Sequence, residues 1–497
     1  MHFNKFLINL IERKESTNIS FCIKNVEYTY SQLFDYVEQI YEIIKDKQEE
    51  HIGIYASDDI RTYATILALW YVGKAYVPIN PVQPVERHRE IINSVGCKII
   101  VSASKKYDIG IDGIEYICTA NLTHESYIKK NKISIKEVPD AKLAYILFTS
   151  GSTGRPKGVQ ISRGNLQAFV DSMDNIGLNI NSKDRCLQPF DLSFDFSVSS
   201  YVVPLAKGSS IYTIPSKVTK FIYIASLLDK YHLTVLQMVP SMIRNLLPYI
   251  DELYLESIRY NILCGEALTG NVITAWHKAN PNMQSYNMYG PTENTVFCTY
   301  YKINKENIPI LLLSNDIVSI GTTFSNSNLV LVDEEDLIIE YDNKEGELCL
   351  CGKQLTPGYW ENSKENKEKF FIYRGQRYYR SGDLCYYSNG NVMYVGRKDF
   401  QVKINGFRVE LGEIENRYNE VSGGRFAVVL PYMNQQSNTE LAIVIEGNEY
   451  DYKNHKIELS KSLPAYEVPT KWLFLNSIPL NQNGKIDRKR IKEILNL

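Results

Sequence analysis

The chain has no apolar run long enough to cross a membrane. Its most hydrophobic stretches, residues 65–73 and 308–313, fall well short of the roughly 20 residues a spanning helix needs. A secretory signal is missing too. Residues 1–14 interrupt Phe3, Phe6, Leu7, Leu10 and Ile11 with charge and offer no small-residue cleavage site. They read as an amphipathic surface helix of a cytoplasmic protein. The nine cysteines contain no Cys-x-x-Cys pair. Cys349 and Cys351 are two apart, but they lie in an alternating, strand-like run at 347–351, where buried thiols are expected rather than a metal site or a disulfide. A reduced, intracellular chain follows. Charge is nearly balanced, 55 Lys and Arg against 57 Asp and Glu. Such a balance gives no global attraction to nucleic acid or to an anionic membrane. Internal repeats, low-complexity segments and the Gly-Lys-Ser/Thr loop of nucleoside triphosphatases are also absent.

What is present is the material of a large globular protein: 497 residues, 44% of them hydrophobic and 23% charged. This length accommodates about three domain-sized units. Short apolar runs alternate with helical patterns, the mark of an α/β protein. Asp58 and Asp59 can cap a helix that turns Ile66, Leu67 and Trp70 inward and stops at Gly73. Residues 75–79 then read as a strand ended by Pro78 and Pro81, and residues 98–102 and 143–148 as further buried strands. A boundary is expected near residues 396–400. Beyond it, strands at 426–430, 441–445 and 472–475 and helices at 413–418 and from Asp487 suggest a small separate α+β unit.

The most informative segment is Leu-Phe-Thr-Ser-Gly-Ser-Thr-Gly-Arg-Pro-Lys-Gly-Val at 147–159. It offers the hydroxyls of Thr149, Ser150, Ser152 and Thr153, the glycines Gly151, Gly154 and Gly158, and Lys157. Glycines let backbone N–H groups approach an anion, and hydroxyls with a lysine complete a phosphate cradle. A flexible polar loop is the simpler reading, but five such donors among three glycines directly after a buried strand weigh against it. Lys157 sits between Pro156 and Gly158, a strand resumes at 159–161, and the helix begins only after Ser162. The loop therefore joins two strands, which argues against a kinase or GTPase.

With its companions this loop resembles that of the adenylate-forming superfamily, which includes peptide-synthetase adenylation domains, acyl-CoA synthetases and luciferases. The resemblance covers nearly the whole chain, in the family's order: Ala-Tyr-Val-Pro-Ile at 75–79, the loop, Phe-Asp-Phe-Ser at 194–197, Gly265-Glu266, Asn-Met-Tyr-Gly-Pro-Thr-Glu at 287–293, Tyr-Arg-Ser-Gly-Asp-Leu at 379–384, Gly-Arg-Lys-Asp at 396–399, Asn-Gly-Phe-Arg-Val-Glu-Leu-Gly-Glu-Ile-Glu at 405–415 and Asn-Gly-Lys-Ile-Asp-Arg at 483–488. It implies a large multi-sheet N-terminal adenylation domain over 1–396, a hinge at 397–400 around Asp399, and a small mobile α+β domain over 401–497.

The resemblance also implies ATP and Mg²⁺. Tyr289 would stack on adenine and Thr292 contact the α-phosphate. Glu293 would hold Mg²⁺, for which a carboxylate is the fitting hard ligand beside phosphates. Asp383 would take the ribose hydroxyls, and Arg397 nucleotide oxygens. Gly265, Glu266, Asn287 and Gly290 complete the nucleotide site. Alone, each of these would be a turn residue or a surface ion pair. Lys485 is the implied catalytic residue: attack of a carboxylate on a phosphate joins two anions, and a cation bridging them lowers the barrier. In one pose the small domain presents Lys485; in the other it rotates about Asp399 for the pantetheine arm of a carrier.

In amino-acid-activating members an Asp at position 195 pairs with the substrate α-ammonium, whereas fatty-acid activators have no such need. Asp195 therefore points to an amino acid, although capping of the next helix would explain it too. Through the same alignment the pocket comprises Asp195, Phe196, Ser199, Gln237, Ile262, Cys264, Met288, Val296, Phe297 and Lys485. Phe196, Met288 and Phe297 leave little room, so alanine, serine or glycine fits best. Cys264 resembles the cysteine that D-alanine–D-alanyl carrier protein ligases carry at this place. No Asp-Ser-Leu-type phosphopantetheine site follows Lys485, so the acceptor is expected to be a separate carrier protein. The rival readings are a free-standing peptide-synthetase adenylation enzyme for another amino acid, an acyl-CoA synthetase, and a non-catalytic nucleotide-binding protein.

Overall fold

The computed structural model describes residues 3–104, 110–124, 133–135, 137–151, 156–308, 310, 313–314, 316–399, 401–447, 452–480 and 486–497. By its internal contacts the chain divides into two compact units. The first comprises Met1–Pro81, Val95–Leu147 and Gly158–Lys398, the second Val82–Ser94, Phe148–Lys157 and Asp399–Leu497. The second unit thus joins residues 82–94 and 148–157 to the C-terminal segment.

The first unit is built on three larger sheets. One has nine strands, with Gln284–Tyr289, Tyr260–Leu263, Val235–Met238, Arg185–Gln188, Ser210–Thr213 and Ile19–Ile23 forming its parallel centre. The second has seven strands around Leu143–Thr149, Ala75–Ile79 and His51–Tyr55. The third is antiparallel, built on Ser327–Val332, Gly346–Gly352 and Gln376–Ser388, with Asn391–Arg397 paired to the last of these.

Local chemistry accounts for the main elements. The helix Ile60–Val72 starts where Asp59 accepts a hydrogen bond from the Arg61 N–H and stops at Gly73, whose φ of 83° is the left-handed conformation that glycine adopts freely. Apart from Arg61 all of its residues are buried, as befits a helix apolar all round. The strand Ala75–Ile79 is buried along its whole length between parallel neighbours. Pro78 does not end this strand but lies within it, opposite Ile54. Register with the Leu143–Thr149 strand is limited to Tyr76 opposite Tyr145, so on that side Pro78 lies beyond the paired residues. The strand Gly346–Gly352 is buried on both faces. Leu348 and Leu350 join the main core, while Cys349 and Cys351 join a smaller cluster with Val332 and Tyr378. Burial pushes the Cys349 thiol up to about 12.

In the second unit a three-stranded sheet of Ala427–Met433, Thr439–Glu446 and Lys471–Leu475 alternates its faces strictly. Val429, Leu441, Ile443 and Ile445 pack with Ile414, Tyr418 and Leu459 from two helices. Val428, Leu430 and Val444 pack with Ile491 of the helix Arg488–Leu495. That last helix is capped by Asp487, which accepts from the Arg490 N–H. Among the described residues no helix is long and apolar enough to cross a membrane.

Candidate active site

The carboxyl ends of the parallel strands in the nine-stranded sheet gather the chemistry, as is general in α/β proteins. The strand Tyr260–Leu263 runs into Cys264, Gly265 and Glu266, and Gln284–Tyr289 runs into Gly290. Asp195 and the helix Phe196–Lys207 follow the strand Arg185–Gln188.

Asp195 occupies the N-cap position of its helix, yet its side chain makes no capping bond. Its Oδ2 instead accepts from the Thr292 hydroxyl at 2.6 Å. The helix does not use this carboxylate, which weakens the simple capping explanation. Behind it, Phe196 stacks on Phe190 at 4.2 Å and meets Phe297 edge-on at 5.0 Å. Phe196, Met288, Val296 and Phe297 are all at most 2% exposed, so the aromatic wall is tightly packed. Ser199, Gln237, Ile262 and Cys264 are buried in the same core region. The Ser200 hydroxyl donates to Gln237 Oε1 at 3.3 Å, whereas the buried Ser199 hydroxyl has no hydrogen-bond partner among the described residues.

A second constellation centres on Asp383. The Tyr289 hydroxyl donates to its Oδ2 at 2.5 Å and Arg397 Nη1 to its Oδ1 at 3.0 Å. Arg397 also donates to the Ser381 carbonyl, and the Ser381 hydroxyl accepts from the Asp383 N–H. Burial, reinforced by Asp383, pushes the Tyr289 phenol far above its usual range, so it remains a proton donor. Asn287 donates to the Val318 and Ser319 carbonyls and so braces the strand beneath. Glu266 accepts from the Ser241 N–H and hydroxyl, both at 2.8 Å, and pairs with Arg244 at 3.2 Å. Its carboxylate thus serves the start of the helix Pro240–Leu246.

Glu293 is fully buried, and its Oε1 accepts from the Tyr359 hydroxyl at 2.6 Å. The Thr356 N–H holds the Glu293 carbonyl at 2.8 Å. Among the described residues no group of three or more His, Cys, Asp or Glu side chains is arranged to hold a metal. A Mg²⁺ ion needs none when one or two carboxylates and substrate phosphates share it. The oxygen donor set at Glu293 therefore fits that ion.

The sequence reading missed Tyr359, because nothing local ties a tyrosine that follows Pro357 and Gly358 to a carboxylate 66 residues away. Around the glycine-rich segment, Ser162 caps the helix Arg163–Asp174 in a capping box with Asn165, as its position suggests. Thr149 ends the strand Leu143–Thr149, and Lys157 already begins the next, where it is 6% exposed. Within the second unit, the Ser150 hydroxyl donates to the Arg408 carbonyl at 2.7 Å and the Gly151 N–H to Glu413 Oε2 at 3.0 Å. These donors, expected at phosphate, are bonded to protein here. Ser152, Thr153, Gly154 and Lys485 lie outside the described residues.

Three comparisons bear on this arrangement. The family model described as AMP-binding enzyme matches residues 12–360. The D-alanine–D-alanyl carrier protein ligase of Lactococcus lactis subsp. lactis is 32% identical over 97% of this chain and 97% of its own. The ligase of the same name from Bacillus licheniformis is 29% identical over 98% of this chain and 99% of its own. Among solved structures, the Vibrio cholerae adenylation domain AlmE in complex with glycyl-adenosine-5'-phosphate superposes with a TM-score of 0.85 at 24% identity, covering 99% of this chain and 97% of that one, and so shares its fold. The chain belongs to the AMP-binding enzyme family: it is an ATP-dependent adenylate-forming ligase, related to the D-alanine–D-alanyl carrier protein ligases.

Proposed function

We propose that this enzyme activates D-alanine as its adenylate and transfers the alanyl group, in the cytoplasm, to the phosphopantetheine thiol of a separate carrier protein. The observation that carries the reading is Asp195: a buried carboxylate, not used by its own helix, beside a wall of Phe196 and Phe297. A buried carboxylate calls for a cation, and an amino acid's α-ammonium supplies one. The wall, with Met288 and Val296, leaves space for a small side chain. The similarity to D-alanine–D-alanyl carrier protein ligases over nearly the full length of both chains supports the choice of substrate and acceptor.

The chemistry follows from these residues. A carboxylate oxygen of the amino acid attacks the α-phosphorus of ATP, the bond to the β-phosphate oxygen breaks, and pyrophosphate leaves. Asp383, oriented by Tyr289 and Arg397, accepts from the ribose hydroxyls. Glu293 would hold Mg²⁺, which supplies positive charge to the phosphates. Thr149, Ser150, Gly151, Ser152, Thr153, Gly154 and Lys157 would cradle the phosphates, Ser150 and Gly151 exchanging their bonds to the Arg408 carbonyl and Glu413 for phosphate oxygens, and Gly265 and Gly290 would let the backbone approach the nucleotide. Lys485 offsets the charge that builds between the attacking carboxylate and the α-phosphate. In the second half-reaction the carrier thiolate attacks the alanyl carbonyl and AMP leaves. Asp399 is the proposed pivot between the two half-reactions.

The test is intact-mass analysis of a phosphopantetheinylated carrier after incubation with enzyme, ATP, Mg²⁺ and D- or L-alanine. D-Alanine should add one alanyl group to the carrier. Loading with L-alanine only would place the enzyme among free-standing peptide-synthetase adenylation enzymes. Thioester formation only from a fatty acid and coenzyme A would make it an acyl-CoA synthetase, and both outcomes would overturn the reading.

A further inference from the structure

Two consecutive β-branched residues, Thr295 and Val296, have φ values of 53° and 68°. Such residues are strained in the left-handed region, and the strain persists only where the surroundings over-determine it. The strained residues lie in the first unit, on the segment that follows Glu293. The Thr295 N–H bonds to the Thr292 carbonyl, and the Phe297 N–H bonds back to the Thr295 carbonyl at 2.9 Å, closing a tight three-residue turn around Val296. Gly290 makes room for it: a Cβ there would lie 2.5 Å from the Val296 carbonyl oxygen and 2.7 Å from the Phe297 Cα. Both ends of the turn touch the Asp195–Phe196 pair, through the Thr292 hydroxyl and through the Phe297 ring.

What over-determines the turn is one side chain. Gln354 is fully buried. Its Nε2 donates to the Phe297 carbonyl at 2.7 Å and lies 3.3 and 3.4 Å from the Asn294 and Thr295 carbonyls. The Thr295 hydroxyl donates to the Gln354 carbonyl at 2.6 Å in return. The amide orientation follows from this setting, since only its N–H₂ can face three carbonyl oxygens. Gln354 is itself pinned: Asn165 Nδ2 donates to the Lys353 and Leu355 carbonyls on either side of it, at 2.8 and 3.0 Å. Among the described residues its Oε1 finds no partner, while its donors face the turn.

We infer that Gln354 is a specificity-determining positioning residue: by clamping the strained turn over 294–297 it seats Val296 and Phe297 as the wall that limits the amino-acid side chain. The inference rests on the proposed amino-acid activation. It separates the amino-acid wall from the nucleotide residues, because Glu293 is held independently by the Thr356 N–H and the Tyr359 hydroxyl. Without the clamp, the turn relaxes toward negative φ and the Phe297 ring moves off Phe196.

The experiment is amino-acid-dependent pyrophosphate exchange by Gln354→Met, which keeps the volume and removes the donors. The ratio of kcat/KM for alanine to that for leucine should fall about tenfold or more, through a higher KM for alanine, while the KM for ATP changes by less than about twofold. Thr295→Gly relieves part of the left-handed strain, so Gln354→Met is read in that background too, where a folding defect is smaller. Val296 keeps its left-handed φ there, so the ratio should still fall, though by less than in the wild-type background. A lower melting temperature or active fraction with an unchanged alanine-to-leucine ratio in both backgrounds would reduce Gln354 to a structural residue and overturn the inference. Absence of exchange by the wild-type enzyme with every amino acid would instead overturn the functional reading beneath it.

Discussion

Replacing Asp195 with alanine should separate the recognition of an amino acid from every other function of the site. The structure sets the size of each contribution. The carboxylate makes no cap bond to the helix Phe196–Lys207, so its loss should leave that helix intact. The Thr292 hydroxyl would lose its Asp195 partner, at a cost of about 1 kcal/mol, or roughly fivefold in rate. An α-ammonium bound beside position 195, where the residue is 9% exposed, would by contrast lose the Asp195 charge. Breaking a buried pair in this way costs about 3–5 kcal/mol, or roughly 10²- to 10⁴-fold in kcat/KM. Propionate, which has no ammonium, should suffer only the smaller loss. The assay is kcat/KM for D-alanine and for propionate in wild type and variant, with the melting temperature as a control for folding. Equal losses for both substrates would refute the reasoning and make Asp195 structural.

Other perturbations address other parts of the account. Lys485→Ala should abolish adenylate formation while leaving ATP affinity and folding largely intact, because the lysine is proposed to act in the transition state; an exchange rate equal to wild type would remove it from the mechanism. Cys264→Ala should relax the preference for D- over L-alanine without abolishing activity, since a misfit of one methyl group is worth roughly 10- to 200-fold in kcat/KM; an unchanged ratio of the two kcat/KM values would clear the cysteine of any role. His277, whose Nε2 lies 2.9 Å from the Ser285 hydroxyl, is pushed down from 6.5 to about 4 by burial. Between those values the unfolded chain binds the additional proton, so this contribution is complete above pH 6.5 and is lost as the pH falls toward 4, by about 3 kcal/mol. His277→Gln should flatten that part of the stability profile in urea titrations, and identical slopes in variant and wild type would contradict the assignment.

The sequence was most legible where a local rule sufficed. Asp59 and Gly73 bracket a helix, Ser162 opens another, and the strands of the three-stranded sheet in the second unit appear as apolar runs. The helix Lys453–Ser462 escaped notice because only Leu459 among its ten residues is buried, which leaves no apolar period to read. Sequence alone makes Pro78 the end of its strand because the restriction that proline places on a ladder is local, whereas its relief depends on which neighbouring residues pair. In the candidate site, motifs marked the groups proposed to carry charge or meet ligand. The residues that position those groups left no signal. Gln354 and Tyr359 act on carbonyls and a carboxylate about 60 residues earlier in the chain, and only the fold brings them together.

The central claim, that this enzyme forms the adenylate of a small amino acid, is tested most directly by ATP–pyrophosphate exchange across a panel of D- and L-amino acids, with fatty acids as controls. The account predicts exchange dependent on Mg²⁺ and strongest with D-alanine, weaker with L-alanine, glycine and serine, and negligible with large or charged side chains and with fatty acids. Exchange driven by a fatty acid, or equally by large and small amino acids, would contradict it.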